Sequence, residues 1–200
     1  MNIIIFGPPG AGKGTQAKFL VKRLNSFQIS TGDMLRKEIE KNTDIGKKII
    51  NNMNEGKFVD DEIVNKLLEY IIFNPQKKNK LIFDGYPRTI NQAKNLDKLL
   101  NKSDQKINHI FFLNVNKNSI IKRIEKRKIL EKRTDDNEDT ILKRYDTYME
   151  VTKPVLDYYS KNENFHEIDG SIEIDRISQK IEEILKVWDI DFEFSSYIKG

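Results

Sequence analysis

The 200-residue chain has no cysteine, two histidines and one tryptophan. Without thiols there is no disulfide and no thiolate metal site, and the composition suits a reducing compartment, so a cytoplasmic protein is expected. No apolar run approaches the roughly 20 residues that a membrane-spanning helix needs, so no membrane partner is expected. Charge of one sign is also scarce: 35 basic residues against 31 acidic ones leave a formal net charge of +4. A dedicated nucleic-acid binder would carry a larger and more clustered surplus, so no nucleic-acid partner is expected. A basic groove for a phosphorylated small molecule fits the balance better. A glycine-rich stretch begins at Gly7, which leaves no room for a leader ahead of it, and none is expected. With 38% hydrophobic residues, the chain can bury one good core, and one domain with insertions is the default.

What is present is an alternation of short apolar runs and helical periodicities. NIIIF (2–6), FQIS (27–30), LIFDG (81–85), INHIFFLNV (107–115) and FHEID (165–169) read as strands. Helices are predicted over 13–25, from a cap at 30–33, over 44–54, 60–73, 90–101, 118–128, 138–160 and 173–187. This order predicts an α/β fold, a parallel sheet wound right-handedly with helices on both faces. Residues 30–59 place helices where one crossover would do, and 128–137 form a charged connector.

The stretch GPPGAGKGTQ, Gly7 to Gln16, almost spells the phosphate-binding loop G-x-x-x-x-G-K-[ST], but Gly14 stands where a hydroxyl would hold Mg²⁺. The loop follows a predicted buried strand and precedes a predicted helix. In that setting its backbone N–H groups and the helix N-terminus suit a phosphate, and Lys13 can bridge the outer phosphates of a nucleoside di- or triphosphate. STGDMLR (30–36) places Thr31, Asp33 and Arg36 at a helix start. FDGYPR (83–88) places Asp84 at the carboxyl end of a strand, where ligands bind in open α/β sheets, with Arg88 one turn later. Each has an ordinary structural reading alone: a helix cap, a strand end, a surface ion pair.

Together with the loop, the stretches GPPGAGKGTQA, STGDMLR, GKFVDDEIV, DGYPRTINQA and RTDDNEDTILKRYDTYMEVTKPVLDYY resemble the nucleoside monophosphate kinases, most closely the adenylate kinases, over about residues 2–186. The resemblance implies a P-loop three-layer α/β/α core with a five-stranded parallel sheet (1–29, 60–123 and 138–200), a helical insertion for the nucleoside monophosphate (30–59) and a short lid (124–137). It implies transfer of the ATP γ-phosphoryl group to AMP, giving two ADP, with Mg²⁺ and without zinc. Gly10, Ala11, Gly12, Lys13, Gly14 and Thr15, with Arg123, Arg127 and the turn at Ile172, would hold ATP. Thr31, Arg36, Lys57, Phe58, Val59, Gly85, Tyr86, Pro87, Arg88, Gln92, Arg133 and Arg144 would hold AMP. Lys13, Arg88, Arg127, Arg133, Arg144 and Asp84 would carry catalysis, Asp84 anchoring the metal through water. Asp135 and Asp136 would fix the closed lid.

The resemblance also implies adenine over the UMP/CMP-type alternative, since Gln92 and Thr31 look like the adenylate-type members, and an amide can both donate and accept as adenine's edge requires. GTP as donor, and a regulatory module that binds nucleotide without transfer, stay open. The lid departs from the family pattern: Lys128-Ile129-Leu130-Glu131-Lys132 stands where relatives carry glycines. The family also implies a monomer. His109 and His166 are expected to be structural. The tail from 187 lies beyond the resemblance, and Trp188 and Phe192 are expected to pack on the core or on a neighbouring chain.

Overall fold

The computed structural model describes residues 1–131 and 138–198, with side chains at 1–124 and 140–187. Five strands, β1 (Asn2–Phe6), β2 (Phe27–Ser30), β3 (Leu81–Asp84), β4 (Ile107–Asn114) and β5 (Phe165–Asp169), form one sheet in the order β2-β3-β1-β4-β5. Every pairing is parallel. Between them run α1 (Lys13–Leu24), α2 (Thr31–Glu40), α3 (Asp44–Asn54), α4 (Asp61–Ile72), α5 (Ile90–Lys102), α6 (Lys117–Glu131), α7 (Glu138–Thr147), α8 (Lys153–Tyr159) and α9 (Ile174–Ile198).

The central strand explains the layering. Ile3, Ile4, Ile5 and Phe6 are all buried, so both faces of β1 are covered. Ile4 and Phe6 join Ile29, Leu68, Phe83, Leu96 and Tyr159 on one face. Ile3 and Ile5 join Ala17, Leu20, Ile82, Phe111 and Ile181 on the other. Side chains alternate across a strand, so one apolar run feeds two cores, and the sheet lies between two helical layers as predicted.

Side-chain caps set several helix starts. Ser30 accepts from the Asp33 amide at α2, Thr43 from Gly46 at α3 and Thr89 from Gln92 at α5. The helix predicted over 138–160 is present as α7 and α8 joined by a π-turn, Tyr148–Thr152. The last helix runs beyond the predicted residue 187 to Ile198, through a segment without glycine or proline to stop it. The side chains of Trp188 and Phe192 lie outside the described residues.

The two histidines face each other across β4 and β5, with His109 Nδ1 3.2 Å from His166 Nε2. His109 is buried and stacks on Phe111. Burial, then the neighbouring His166, push its pKa down from 6.5 to about 4. The unfolded chain therefore binds more protons than the folded one between these values, and stability is complete above pH 6.5 and lost as pH falls toward 4. We expect this pair to remove about 2–3 kcal/mol of stability over that window. Urea unfolding at stepped pH should show it, with a flatter profile in His109→Phe; equal slopes in both proteins would contradict it.

Candidate functional site

The phosphate-type loop leaves β1 at Gly7 and enters α1 at Lys13. It is closed on itself by the Ala11 amide donating to the Pro8 carbonyl at 3.1 Å. Gly10 has φ +79°, and a Cβ there would meet Ile124 Cγ1 at 2.8 Å. That contact seats the loop on α6, and Arg123 of the same helix donates to the Ala11 carbonyl at 3.4 Å. Lys13 Nζ donates to the carbonyls of Gly7 (2.7 Å) and Pro8 (2.9 Å).

Asp84 ends β3 directly beside this loop. The register sets it opposite Ile5 on one side and Ser30 on the other. Its carboxylate is largely buried and accepts from Gln28 Nε2 at 2.9 Å. A Cβ on Gly14 would stand 3.5 Å from Asp84 Oδ2, so a hydroxyl-bearing side chain there would reach into the space beside the carboxylate. The glycine keeps that space open, which suits a hydrated cation near Asp84. Among the described residues no group of three or more His, Cys, Asp or Glu could hold a metal. A Mg²⁺ near Asp84 would take its oxygen ligands from phosphate and water, as this ion commonly does, with the carboxylate holding that water.

A second cluster lies across from the loop. The Gly85 carbonyl accepts from the Thr31 hydroxyl at 2.9 Å and from Arg88 Nε at 2.7 Å. The Arg88 guanidinium sits over the Phe58 ring at 5.6 Å. Arg36 Nη2 pairs with Asp33 Oδ1 at 2.5 Å. The Tyr86 hydroxyl donates to Asn65 Oδ1 at 3.0 Å, and burial pushes its pKa up to about 12; it stays a neutral strut.

Loop and cluster face one cavity of about 480 Å³. Among the described residues it is lined by Lys13, Lys18, Arg36, Lys57, Arg88, Arg123 and Arg144 against Asp33 and Asp84 as carboxylates, a strongly positive interior suited to polyphosphate. Of the residues singled out from sequence, Gly10, Ala11, Gly12, Lys13, Gly14 and Thr15, together with Arg36, Lys57, Phe58, Val59, Asp84, Gly85, Pro87, Arg88, Arg123 and Arg144, line it. Thr31, Tyr86 and Gln92 are buried behind its wall. Ile172 packs on the core beside α9, while Ile174 and Ile177 reach the cavity instead. The Arg127 side chain, Arg133, Asp135 and Asp136 lie outside the described residues.

Sequence reasoning missed Gln28, although it alternates with Ser30 on the same strand, and missed the pairing role of Asp33, three residues from Arg36. It also missed Tyr148 and Thr152, which line the cavity from the π-turn. The Tyr148 hydroxyl is buried with no hydrogen-bond partner among the described residues, and burial, then Tyr145, raise its pKa.

The family model for adenylate kinase matches residues 5–164. The chain belongs to the adenylate kinase family. It is similar to the adenylate kinase of Pelagibacter ubique (strain HTCC1062), 51% identical over 94% of this chain and the whole of that one. It is 40% identical to the adenylate kinase of Mycoplasma capricolum, over 94% of this chain and all of the relative. It is also 40% identical to that of Caulobacter sp. (strain K31), over 94% of this chain and 99% of the relative. The Pelagibacter alignment is 213 positions long and the Caulobacter one 187, though each takes in the same share of this chain.

The loop's seat on α6 gives a prediction. Gly10→Ala must place a Cβ at positive φ and against Ile124, so nucleotide binding should weaken at least about tenfold while the far-UV circular dichroism is kept. Titration calorimetry with ATP measures it; unchanged affinity would mean that the loop need not hold this conformation.

Proposed function

We propose that this chain is an adenylate kinase that reversibly transfers the γ-phosphoryl group of ATP to AMP, giving two ADP. One observation carries the reading: a phosphate loop and a separate set of arginines face each other across one cavity, with Asp84 at the seam. A single-nucleotide binder has no use for the second set.

The acceptor phosphate needs no general base, since a phosphomonoester's second pKa is about 6 and the attacking oxygen is already ionised at neutral pH. Catalysis then reduces to alignment and charge stabilisation. The amides of the Gly10–Thr15 loop and Lys13 hold the donor phosphates, with Arg123 at the loop's back and the turn around Ile172 toward the donor base. Arg36 and Arg88 hold the AMP phosphate. Arg127, Arg133 and Arg144 neutralise the transferring oxygens; the position of Arg144 on the cavity wall supports this for one of the three. Gln92, Thr31 and the backbone of Lys57, Phe58 and Val59 select adenine. Mg²⁺, when bound, supplies charge neutralisation across the phosphates, with Asp84 holding its water shell.

The insertion over 30–59 and the short lid over 124–137, fixed by Asp135 and Asp136, close over the substrates and keep water from the γ-phosphoryl group. The equal-length Caulobacter alignment supports the short lid. No described helix is long and apolar enough to cross a membrane. A cytoplasmic, monomeric enzyme working on ATP, AMP and ADP completes the reading, supported by the absence of cysteine.

A coupled phosphotransfer assay offering ATP or GTP with AMP, UMP, CMP or GMP tests the assignment. ATP with AMP should turn over best; faster turnover with UMP or CMP would overturn the substrate, and none with any acceptor would leave a binding module. Arg88→Ala should lower the rate by about 10²–10³ while the fold survives; near-normal turnover would remove Arg88 from the site.

A further inference from the structure

Gln92 is 3% exposed, and both ends of its carboxamide are engaged. Its Oε1 accepts from the Arg88 backbone N–H at 2.7 Å, and its Nε2 donates to Asp61 Oδ1 at 2.5 Å. A carboxamide is nearly symmetric in shape, so turning it by half a rotation usually costs little sterically. Here that rotation would set an N–H against an N–H at Arg88 and a carbonyl oxygen against a carboxylate at Asp61. The backbone end is common to any side chain at 88. The other end depends on Asp61 being an acceptor-only group.

Asp61 is itself held. It is the first residue of α4, directly after the Asp60 cap. Its other oxygen lies 3.4 Å from the Thr89 hydroxyl, and that hydroxyl accepts from the Gln92 backbone N–H at 3.1 Å. Asp61, Thr89 and Gln92 therefore form a closed ring joining the start of α4 to the start of α5. The ring is one bond from Arg88, which lines the cavity.

After these two bonds, the Gln92 amide has one N–H and one oxygen lone pair left. In the held orientation their positions are fixed. Adenine offers an acceptor at N1 and a donor at its 6-amino group. A 6-oxo purine offers the reverse, an N1–H donor and an O6 acceptor. An amide that can turn accommodates both; one that cannot must leave like groups facing each other with one of them, and unpaired buried polar groups are a strong basis for rejection.

We propose that Asp61 is a specificity-determining positioning residue, which fixes the Gln92 carboxamide in the orientation that takes a 6-amino purine monophosphate and refuses a 6-oxo one. The inference rests on the reading that Gln92 selects the base of AMP.

The test is kcat/KM for AMP and for inosine monophosphate, with ATP as donor. The variants are Asp61→Asn, Asp61→Ser and Asp61→Glu. The unaltered protein should prefer AMP. In Asp61→Asn the AMP-to-inosine-monophosphate ratio should fall about threefold or more, with a gain for inosine monophosphate, because the new carboxamide can itself present a donor or an acceptor and only the Arg88 backbone N–H then opposes the turn. Asp61→Ser, whose hydroxyl has the same freedom, is a second route to the same fall, and Asp61→Glu should keep the ratio. A ratio unmoved in Asp61→Asn and Asp61→Ser would overturn the assignment, as would an equal fall in Asp61→Glu, which would point to packing alone. No preference for AMP in the unaltered protein would overturn the reading of Gln92 and this inference with it.

Discussion

The parallel pairing of β1 with β3, and of β3 with β2, is the constraint from which the rest of the site follows. Ile5 lies opposite Asp84, and Asp84 opposite Ser30. Because the strands all run the same way, their carboxyl ends share one edge, and each chain segment leaving that edge turns into the same crevice. The phosphate-type loop leaves β1 there, α2 starts there with its cap at Ser30, and the Gly85–Arg88 turn leaves β3 there. The amino ends of α1 and α2 are brought to the crevice by the same geometry, and the dipole at each favours anions there. A slip of β3 by one residue would send Asp84 to the opposite face of the sheet and into the core.

The cations around the crevice are not left to repel one another. Lys13 rests on two carbonyls of its own loop, Arg36 on Asp33, and Arg88 on the Gly85 carbonyl and the Phe58 ring. Apart from Phe58, each of these partners lies within six residues and satisfies donors at short range. A doubly charged phosphate oxygen is a stronger acceptor than a neutral carbonyl, so exchange on binding runs toward the ligand. The side chains are meanwhile kept near their working positions, which lowers the entropy lost when a substrate arrives. The exception is the Arg36–Asp33 pair, where a true carboxylate must be displaced, and that pair sits on α2, directly after the edge strand β2.

Most of the architecture was legible in the sequence, for definite reasons. NIIIF and LIFDG are short, apolar on both faces and end in glycine or aspartate, so their burial and their direction were readable. That the loop, Asp84, Arg36, Arg88, Arg123 and Arg144 would meet at one cavity was readable because chemistry fixes both residue type and spacing. The side chains that hold those groups were not. Gln28 supports Asp84 from a neighbouring strand, and no local pattern announces a partner 56 residues away. Asp61 meets Gln92 from another helix and reads in sequence as an ordinary acidic first turn. The turn after β5 was visible in the sequence, but not that Ile174 and Ile177 of α9 would line the cavity. The end of α9 was missed, although no glycine or proline stands between residue 187 and Ile198 to stop the helix.

The π-turn between α7 and α8 settles how one long rod can serve two purposes. An α-helix advances about 100° per residue, and a π-turn roughly 80°. Counted from Arg144, Tyr148 lies about 40° round the axis, and the wider turn then brings Thr152 back almost in line. Leu156 and Tyr159, buried in the core, continue the same stripe. An unbroken α-helix would have carried Thr152 some 80° away and turned Leu156 toward water. The one surplus residue acts as a phase correction: a single face of the rod holds polar groups at the crevice and apolar ones beneath the sheet. Removing one residue from 148–152 would leave an unbroken α-helix with Leu156 within about 20° of its present direction, so what the surplus residue adds is one more position on the crevice side of the rod.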